Sequence, residues 1–406
     1  MTHKPINQAI ILAGGKGTRL GDATKDTPKP MLPILEGGRP FIECLIDGVA
    51  RRGYQDIVIV AGHLGDVIET EFHGRDWRNA HISVLREQQP LGTGGCLAAF
   101  AHRLEDRFVM MNGDALFDMN LRALEIAAGD LGTTATLALR KVDDVSRFGR
   151  VTVDGTAIRA FNEKDPTFEG EGLINGGIYC FDKKIVDLIH PGACSLETDV
   201  FPVLASQEQV HGVQFDGYFL DIGVPESLAQ GRRELPEVLR RPAVFFDRDG
   251  VLNKDEGYTH RVEDLQFLPG AIEAIRHVND KGWLAIVVTN QAGVARGYYT
   301  MDDVRKFHAA MQGELYKAGA YIDEFYVAPY HPDGIIPEFS IAHEDRKPGP
   351  GMILKAFQDW NITPEQSFLV GDKPSDVKAA KTAGLKGVFY DGGNLHSLVL
   401  QHMQAD

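Results

Sequence analysis

Short apolar runs alternate with longer amphipathic segments in the first part of the chain, up to Arg150. The runs are rich in β-branched and aliphatic residues, which predicts buried strands, and the segments between them space their apolar positions as helices do. Strands that alternate with helices form mainly parallel sheets, and ligands gather at the carboxyl ends of such strands. The predicted strands are QAIILAG, DIVIVAG, HISVLRE, RFVMMNGD and TATLALR.

Shorter strands of alternating polarity follow Arg150. Two stretches, GRVTVDGTAIRAFNEK and LINGGIYCFD, contain an Asp-Gly and a Gly-Gly pair, and such pairs favour hairpin turns. We therefore expect an antiparallel lobe laid on the ligand edge of the sheet. It ends in VQFDGYFLDIGVPESLAQ.

The alternation of strands and helices restarts after a charged, proline-containing segment, GRRELPEVLRRP. Composition and period both reset there, which indicates a domain boundary, and 406 residues are too many for one ordinary core. The sequence predicts two Rossmann-like α/β domains, 1–235 and 243–406, joined by a linker at 236–242. The strands expected in the second domain are AVFFDRDG, WLAIVVTNQ, DEFYVAPY, SFLVGDKPSD and KGVFYDGG.

Composition narrows the class of ligand. A formal charge of −15 argues against a general nucleic-acid-binding surface, which needs clustered Lys and Arg. The four cysteines are scattered without a CxxC pair, as suits a reducing cytoplasm. No apolar run is long enough to cross a membrane, and the N-terminus lacks a signal-peptide pattern. We expect a cytoplasmic protein that binds small molecules, without nucleic acid or membrane insertion; a homo-oligomer stays open.

Glycines and cationic residues follow the first predicted strand in ILAGGKGTRLGDATKDTPKPMLPI. Gly14, Gly15 and Gly17 allow the backbone to approach a phosphate chain, and Arg19 and Lys29 add positive charge. The spacing is neither a dinucleotide-binding GxGxxG nor a P-loop. Taken alone, these glycines are equally well explained as a simple turn.

Two further segments favour a phosphate site. EQQPLGTGG offers a second glycine loop, in which Leu91, Gly92 and Thr93 present backbone polar groups to a base. MNGD and FLDIGVP place Asp114 and Asp221 at strand ends. Each Asp alone is most simply a cap, but beside a cationic glycine loop the pair indicates Mg²⁺ that bridges a polyphosphate and an attacking phosphate.

These segments, with FGRV, FNEK and INGGIY, occur in the order typical of sugar-1-phosphate nucleotidyltransferases, which the chain resembles over residues 6–235. It looks most like guanylyltransferases acting on D-glycero-α-D-manno-heptose 1-phosphate, with mannose-1-phosphate guanylyltransferases next. The resemblance implies nucleotide binding by Leu12, Gly14, Gly15, Thr18, Arg19, Lys29, Gln88, Gly92 and Thr93. It implies Mg²⁺ binding by Asp114 and Asp221, and sugar-phosphate binding by Asp114, Gly149, Glu163, Lys164, Asn175 and Gly177.

The expected chemistry follows from charge. A sugar phosphate attacks the α-phosphorus of a nucleoside triphosphate, and cations must neutralise the two anions before they approach. Arg19 and Lys29 are the expected catalytic cations, with Lys164 and Mg²⁺ beside them. Pyrophosphate leaves, and no protein nucleophile is needed.

The second domain carries another set of strand-end residues. In AVFFDRDGVLN, Asp247 and Asp249 lie close enough to share a metal and a substrate, as a carboxylate nucleophile and an acid/base would. Thr289 and Asn290 are expected to bind phosphate, and Lys347 to neutralise charge. Asp372 completes the metal ligands, supported by Asp376. DxDG alone is as well explained by a turn, but four ordered parts with matching roles favour a phosphatase.

This order resembles the haloacid-dehalogenase superfamily over residues 243–390, which implies a Rossmann-like fold with a minimal cap. The closest likeness is to D-glycero-D-manno-heptose 1,7-bisphosphate phosphatases, with histidinol phosphatase the nearest relative to exclude. It implies Asp247 as nucleophile, Asp249 as acid/base and Arg346 as a substrate-phosphate contact. Mg²⁺ would be bound by Asp247, Asp249 and Asp372.

The chain departs from this family in one loop. The family commonly carries a CxH…CxC zinc loop, whereas APYHPDGIIPEFSIAHEDRKPGPG contains no cysteine. Thiolates supply much of the affinity of a structural zinc site, so we expect no structural zinc. His331 and His343, with Asp345, are interpreted as surface histidines in preference to a weak cation site.

The two halves point to consecutive reactions. Removing the 7-phosphate of a heptose 1,7-bisphosphate leaves the heptose 1-phosphate that the first domain would activate. The sequence therefore predicts a bifunctional enzyme that makes GDP-heptose from GTP for bacterial surface polysaccharide. The alternatives are a mannose-1-phosphate guanylyltransferase, or a transferase for another nucleotide, fused to a histidinol-phosphate-type phosphatase, and a nucleotide-sugar sensor fused to one active enzyme.

Overall fold

The computed structural model describes residues 4–146, 148–162 and 170–403. The chain divides into two compact units, Met1–Val238 and Leu239–Asp406. The last helix of the first unit, Pro225–Val238, runs through the first three residues of the predicted linker 236–242. Only residues 239–242 therefore separate this helix from the next strand.

The first unit contains twelve described strands and six α-helices. The strands are β1 (Gln8–Ala13), β2 (Asp56–Ala61), β3 (Asp76–Trp77), β4 (Ala80–Arg86), β5 (Arg107–Asn112), β6 (Ala115–Phe117), β7 (Ala135–Val142), β8 (Arg150–Asp154), β9 (Ala157–Asn162), β10 (Gly172–Asp182), β11 (Val210–Gln214) and β12 (Phe219–Asp221). The helices are α1 (Ile42–Ala50), α2 (Gly65–Phe72), α3 (Gly92–Ala99), α4 (Leu121–Leu131), α5 (Phe201–Ser206) and α6 (Pro225–Val238).

Ten of these strands form one sheet in the order β3-β4-β2-β1-β5-β10-β7-β11-β9-β8. The stretch β4-β2-β1-β5 is parallel, and Ile10 in its middle pairs with Val58 on one side and Met110 on the other. All three side chains are buried, as expected of strands covered by helices on both faces. The carboxyl ends of β1, β2 and β5 therefore lie at one edge.

The antiparallel strands extend this sheet sideways, so the prediction of a lobe laid on its ligand edge is wrong. The Asp-Gly hairpin exists between β8 and β9, but the Gly-Gly pair does not turn the chain. Instead β10 continues through it, with a register shift against β7 between Asn175 and Tyr179. Gly177 has φ +72°, a left-handed conformation that glycine adopts without strain. The Gly-Gly pair is a bulge inside a long strand.

A small second sheet brings two distant carboxylates together. Strands β6 and β12 pair antiparallel, with Asp221 opposite Ala115. Just beyond the ladder, the amide of Ile222 donates to the carbonyl of Asp114 at 3.0 Å. Asp114 and Asp221 therefore belong to one structural element, although they are far apart in sequence.

The second unit is a parallel sheet in the order β15-β14-β13-β16-β17, and all five predicted strands are present. Asp247 directly follows the central strand, whose four residues are all buried. The strands are β13 (Ala243–Phe246), β14 (Leu284–Asn290), β15 (Glu324–Ala328), β16 (Phe368–Gly371) and β17 (Lys386–Phe389). The helices are α7 (Ala271–Asp280), α8 (Ala292–Ala295), α9 (Met301–Lys317), α10 (Gly351–Asp359), α11 (Pro374–Thr382) and α12 (Leu395–Met403).

Both units thus have the predicted α/β architecture. Among the described helices, none is both long enough and apolar enough to cross a bilayer.

Candidate active sites

A cavity of ≈ 680 Å³ opens at the carboxyl ends of β1, β2 and β5. This is the edge where parallel sheets bind ligands. Several residues predicted to contact nucleotide or metal line it, namely Leu12, Gly14, Gly15, Lys29, Gln88, Gly92, Thr93 and Asp114.

The glycine loop packs closely on its neighbours. A Cβ on Gly14 would lie 2.6 Å from Oε2 of Glu87, and one on Gly62 would lie 2.7 Å from the same atom. A Cβ on Gly113 would lie 2.5 Å from the carbonyl oxygen of Leu12. A side chain at Gly62, 2.8 Å from the Gly14 carbonyl oxygen, or at Gly113 would force the wall of the cavity apart, because real Cβ atoms do not come so close to backbone oxygens. One at Gly14 would displace the end of the Glu87 side chain.

Lys29 joins the two carboxylates of the small sheet. Its Nζ lies 2.7 Å from Oδ2 of Asp114 and 3.9 Å from Oδ1 of Asp221. The Lys29 side chain is 6% exposed, whereas those of Asp114 and Asp221 are 40% and 35% exposed. A Cβ on Gly223 would lie 3.2 Å from a terminal nitrogen of Arg19 and 3.3 Å from Nζ of Lys29. Two cations and two carboxylates therefore meet beside the cavity.

The second glycine loop is clamped by backbone contacts to a later segment. The amides of Gly94 and Gly95 donate to the carbonyl of Cys194 at 2.9 and 3.1 Å, and the amide of Cys194 donates to the carbonyl of Leu91 at 2.9 Å. Gly92 has φ +74°, and a Cβ on it would lie 2.6 Å from the Cys194 carbonyl oxygen. The loop is thus fixed by its backbone.

The side chains of Thr93 and Gln88, both predicted to read the base, lie in different surroundings. The Thr93 hydroxyl donates to Oε2 of Glu197 at 2.8 Å and accepts from the amide of Leu196 at 2.9 Å, so it is used inside the protein. Gln88 is exposed, whereas Glu87 before it is half-buried. Burial raises the pKa of the Glu87 carboxyl, against a smaller effect from the Leu91 amide that donates to it.

Asn175 shapes the bulge in β10. Its Oδ1 accepts from the amide of Gly177 at 3.0 Å, and its Nδ2 donates to the hydroxyl of Tyr179 at 2.9 Å. The bulge places Gly177 beside the end of β5, since a Cβ on Gly177 would lie 3.0 Å from Nδ2 of Asn112.

The remaining residues predicted for the first site are less informative. Thr18 and Arg19 are exposed at the start of a 3₁₀-helix, Thr18–Thr24. Gly149 precedes β8, and a Cβ there would lie 3.0 Å from a backbone oxygen of β9. Glu163 and Lys164 lie outside the described residues.

In the second unit, Lys347 binds both Asp247 and Asp376. Its Nζ lies 2.9 Å from Oδ1 of Asp247, 2.8 Å from Oδ1 of Asp376 and 2.8 Å from the carbonyl of Val288. Burial raises the pKa of Asp247 to about 6, although Lys347 opposes this effect. Burial works against the charge on Lys347, but the two carboxylates outweigh it and raise the pKa of Lys347.

Three carboxylates converge in a geometry that suits a metal. One oxygen each from Asp247, Asp372 and Asp376 lies within 4.8 Å of the others. Oδ1 of Asp372 is buried and has no hydrogen-bond partner among the described residues, and burial raises the pKa of this carboxyl. A Cβ on Gly250 would lie 2.3 Å from Oδ2 of Asp372. An unsatisfied buried carboxylate oxygen is costly unless a cation meets it, and carboxylate oxygens are the ligands that Mg²⁺ prefers.

Asp249, predicted as a metal ligand, is not in that group. The guanidinium of Arg248 donates to both oxygens of the Asp249 carboxylate at 2.9–3.0 Å. The side-chain amides of Asn253 and Gln291 also donate to this carboxylate, at 3.0 and 2.8 Å. Five donor contacts hold this side chain as an acceptor, and its predicted role as a metal ligand remains a prediction. The same Gln291 amide also donates to Oγ1 of Thr289 at 2.8 Å, which links a predicted phosphate-binding residue to Asp249.

Asn290 fixes the backbone of Lys347. Its Oδ1 accepts from the Lys347 amide and its Nδ2 donates to the Lys347 carbonyl, both at 3.0 Å. Both side-chain polar atoms of Asn290 are thus used by the protein, so its predicted contact with phosphate remains a prediction.

The cysteine-free loop is held by other contacts. The rings of Tyr330 and His343 stack with centroids 4.0 Å apart, and Asp345 pairs with Lys355. His343 is 29% exposed and His331 18% exposed. Both histidines are therefore partly exposed and also pack within the loop, and their interpretation as surface histidines remains a prediction.

His331 lies between two arginines. Its Nε2 is 3.3 Å from a terminal nitrogen of Arg296, and burial, followed by the charges of Arg346 and Arg296, lowers the pKa of His331. Arg346 donates to the carbonyl of Tyr330 at 3.2 Å. Neither arginine forms an ion pair with a carboxylate among the described residues, and Nε of Arg296 is buried without a partner. Two uncompensated guanidinium groups are suited to an anion.

Comparison with known proteins agrees with this division of the chain. The family model for nucleotidyl transferases matches residues 8–237. The chain belongs to the nucleotidyl transferase family. A second model, described as HAD-hydrolase-like, matches residues 345–405.

Named relatives match each unit of this nucleotidyl transferase separately. The D-glycero-alpha-D-manno-heptose 1-phosphate guanylyltransferase of Aneurinibacillus thermoaerophilus is 34% identical over 230 residues, which is 56% of this chain and 98% of that protein. The D-glycero-beta-D-manno-heptose-1,7-bisphosphate 7-phosphatase of Rhodopseudomonas palustris is 44% identical over 162 residues, which is 40% of this chain and 90% of that protein.

A solved structure is similar to the first unit. HddC from Yersinia pseudotuberculosis covers 57% of this chain and 100% of its own, at 29% identity and a TM-score of 0.51. HddC complexed with GMP-PN matches at 28% identity and a TM-score of 0.50. The chain thus combines a nucleotidyl transferase unit with a HAD-hydrolase-like phosphatase unit.

Sequence reasoning missed several residues of these two units. Glu87 precedes the predicted Gln88, and its only signal was a carboxylate at the start of a glycine loop. Arg296 lies just beyond VVTNQAG, where nothing in the spacing marks a second cation near Arg346. Glu197 carried no signal, because its contact with Thr93 is purely tertiary.

Proposed function

We propose that this chain makes a nucleotide-activated heptose in two steps. The phosphatase unit removes the 7-phosphate of D-glycero-α-D-manno-heptose 1,7-bisphosphate, and the transferase unit joins the resulting 1-phosphate to GMP from GTP, with release of pyrophosphate. The observation that carries the proposal is the presence of both units in one chain. Each resembles an enzyme whose named substrate fits one of two consecutive reactions.

In the phosphatase step, the carboxylate of Asp247 attacks the phosphorus at O7. The P–O7 bond breaks, a proton reaches O7 from Asp249, and an aspartyl phosphate remains on Asp247. Water then attacks this phosphorus and gives its proton to Asp249, which releases inorganic phosphate and restores Asp247. To reach the substrate, Asp249 must exchange one of its contacts with Asn253 or Gln291.

In the transferase step, an oxygen of the heptose 1-phosphate attacks the α-phosphorus of GTP, and the bond to pyrophosphate breaks. Lys29 and Arg19 supply positive charge where the phosphates meet. Asp114 and Asp221 would hold Mg²⁺, and Asp247 and Asp372 would hold it in the phosphatase unit. When bound, the ion neutralises phosphate charge at each site.

The arginine pair of the phosphatase unit supports a bisphosphate substrate. A substrate bound with its 7-phosphate at Asp247 still carries a second phosphate. Arg346, adjacent to Lys347, and Arg296 provide two guanidinium groups without carboxylate partners for that second anion. A histidinol phosphatase substrate carries no second phosphate and would not use them.

If the two units act in series, the configuration at C1 of the bisphosphate substrate follows from that of the acceptor. Cleavage of the P–O7 bond does not alter the configuration at C1. An acceptor with the α configuration therefore requires an α-1,7-bisphosphate, although the similar phosphatase of Rhodopseudomonas palustris is named for the β form. Four unpaired cysteines, all buried, suit the cytoplasm, where GTP is available.

One experiment tests the whole proposal. The chain is incubated with α-heptose 1,7-bisphosphate, GTP and Mg²⁺, and phosphate, pyrophosphate and nucleotide sugar are quantified. We expect equal amounts of all three. Pyrophosphate release with mannose 1-phosphate and none with heptose 1-phosphate would overturn the choice of heptose.

Glu87 is proposed to select guanine. The Watson–Crick edge of guanine presents two adjacent N–H donors, which match a carboxylate, whereas adenine presents an acceptor at N1. We expect Glu87→Gln to reduce kcat/KM for GTP about 10- to 100-fold and that for ATP little, because an amide offers only one acceptor oxygen. Gln89→Glu, in the same loop, is the matched control. Unchanged selectivity in Glu87→Gln would exclude Glu87 as the base-reading group.

Binding of Mg²⁺ to the phosphatase unit should depend on pH. Since the pKa of Asp247 is raised to about 6, this ligand is protonated below that pH and must lose a proton before it binds metal. Calorimetry should therefore show affinity that is constant above about pH 7 and falls roughly tenfold per unit below pH 6. Asp372→Asn should abolish this binding; a variant that binds Mg²⁺ as tightly as wild type would contradict the proposed ligands.

A further inference from the structure

A directed hydrogen-bond path joins the base loop to the bulge in β10. On one side, Thr93 donates to Oε2 of Glu197 at 2.8 Å. On the other, the Tyr179 hydroxyl lies 3.4 Å from Oε1 of the same carboxylate. One carboxylate therefore accepts from both sides through different oxygens, and Oε2 also accepts from the Ser195 hydroxyl at 3.0 Å.

The direction of each contact follows from its neighbours. The Gly177 amide donates to Oδ1 of Asn175, which orients the Asn175 amide so that Nδ2 donates to the Tyr179 oxygen. The hydroxyl proton of Tyr179 is then left for Glu197. Likewise the Leu196 amide donates to Oγ1 of Thr93, so the Thr93 proton goes to Glu197.

Burial makes this path costly to break. Tyr179 is fully buried, and burial together with the Glu197 charge raises the pKa of its hydroxyl far above the ordinary value. A buried hydroxyl or carboxylate that loses its partner keeps the desolvation penalty of the unpaired group. The favoured state is therefore the one in which Glu197 accepts from Thr93 and from Tyr179 at the same time.

The path is not what holds the base loop in the fold. The contacts of Gly94, Gly95 and Leu91 with Cys194 are all made by backbone atoms and do not involve Glu197. Side-chain changes in the path therefore leave this clamp in place. These changes break the hydrogen-bond path between Thr93, at the cavity wall, and Gly177, at the bulge.

We propose that Glu197 is a positioning residue that couples the nucleotide site to the sugar-phosphate site, so that each ligand strengthens the binding of the other. The inference rests on the proposed function, which assigns the base to the loop at Thr93 and the sugar phosphate to the bulge at Asn175 and Gly177. A nucleotide bound beside the Thr93 side chain holds the Thr93 hydroxyl against Glu197, and the fixed carboxylate in turn holds the hydroxyl of Tyr179 and the side-chain amide of Asn175. The second ligand then binds to a site that is already ordered.

The test measures binding without turnover. Titration calorimetry gives the Kd of α,β-methylene-GTP with and without saturating heptose 1-phosphate, and the reverse, in Mg²⁺. For wild type we expect the two ratios to agree and to lie roughly in the 5- to 150-fold range typical of coupled sites. Tyr179→Phe should bring the ratio close to one, because it removes the only donor to Oε1 among the described residues, while each Kd measured alone changes less than about threefold.

Other variants separate positioning from a merely structural role. Glu197→Ala should lose the coupling, and Glu197→Gln, which keeps one acceptor, should recover part of it. Asp199→Asn is the matched control, since Asp199 lies in the same segment and its carboxylate accepts from the Ser195 amide and the Thr198 hydroxyl, outside the path. Thermal melting confirms that each variant is folded; if Glu197→Ala does not fold, Thr93→Val breaks the same path at its other end.

The outcomes distinguish this inference from the proposed function. Wild type that binds both ligands without coupling would overturn the positioning role, as would variants that weaken each ligand alone and keep the coupling ratio. Wild type that binds neither GTP analogue nor heptose 1-phosphate would overturn the proposed function. Mannose 1-phosphate, titrated in parallel, shows whether only the choice of sugar is at fault.

Discussion

Replacing Asp247 by Asn will lower the rate of phosphate release from heptose 1,7-bisphosphate by at least about a thousandfold, the scale of losing a catalytic nucleophile. An amide cannot form the aspartyl phosphate. The substitution is nearly isosteric and Lys347 keeps its contact with Asp376, so the surroundings are conserved. Release of pyrophosphate from GTP and purified heptose 1-phosphate should be unchanged in the same protein, which makes the transferase reaction an internal control.

The stability of this variant provides a second check. Because the folded-state pKa of Asp247 is raised to about 6, its contribution to stability is present below the unfolded pKa and is lost as the pH rises through 6. At pH 7 in chelator, Asp247→Asn should therefore melt no lower than wild type. Asp302→Asn, on an exposed side chain paired with Lys306, should alter neither activity. Full phosphatase activity in Asp247→Asn would exclude Asp247 as the nucleophile.

Features that depend on local pattern were predictable from the sequence. A buried run that ends in Asp247 must end at the edge of a parallel sheet, because strands covered on both faces expose polar groups only at their ends. The five strands of the second unit follow from this rule. The same rule places the glycine loop after β1 and Asp114 after β5.

Features that depend on pairing between distant segments were not predictable. The Gly-Gly pair of β10 has the sequence of a turn, and only the pairing of β10 with β7 both before and after Gly176 and Gly177 makes it a bulge. Asp249 has the spacing of a metal ligand. Arg248, Asn253 and Gln291 donate to its carboxylate, and the spacing gives no sign of these contacts. In both cases a tertiary contact decides between local alternatives of similar energy.

The same limit applies to the cysteine-free loop. Loss of the thiolates predicts loss of zinc affinity, but it does not predict what holds the loop in place. The stack of Tyr330 on His343 connects residues 13 positions apart, and the pairing of Asp345 with Lys355 connects residues 10 positions apart. Side chains of these types occur at many positions where they make no such contact, so their pairing is visible only in the fold.

Replacing Lys29 by Met will lower kcat for transfer of GMP to heptose 1-phosphate by about 10²- to 10³-fold, the cost of removing one preorganised charge from a developing phosphate anion. Nζ of Lys29 lies 2.7 Å from Asp114 and 3.9 Å from Asp221, so its loss also removes the cation that pairs with both carboxylates. We therefore expect the concentration of Mg²⁺ needed for half-maximal rate to change together with kcat, since the ion and Arg19 must then supply the counter-charge.

The matched control for this prediction is Lys25→Met. Lys25 is exposed at the end of the 3₁₀-helix Thr18–Thr24 and forms no ion pair among the described residues, so it tests the effect of net charge alone. Lys25→Met should keep kcat within about twofold of wild type, as surface changes outside a site usually do. Phosphate release from the bisphosphate should be unaffected by either substitution. Equal rates for Lys29→Met and wild type at saturating Mg²⁺ would mean that the metal and Arg19 suffice, and that Lys29 serves only to pair the two carboxylates.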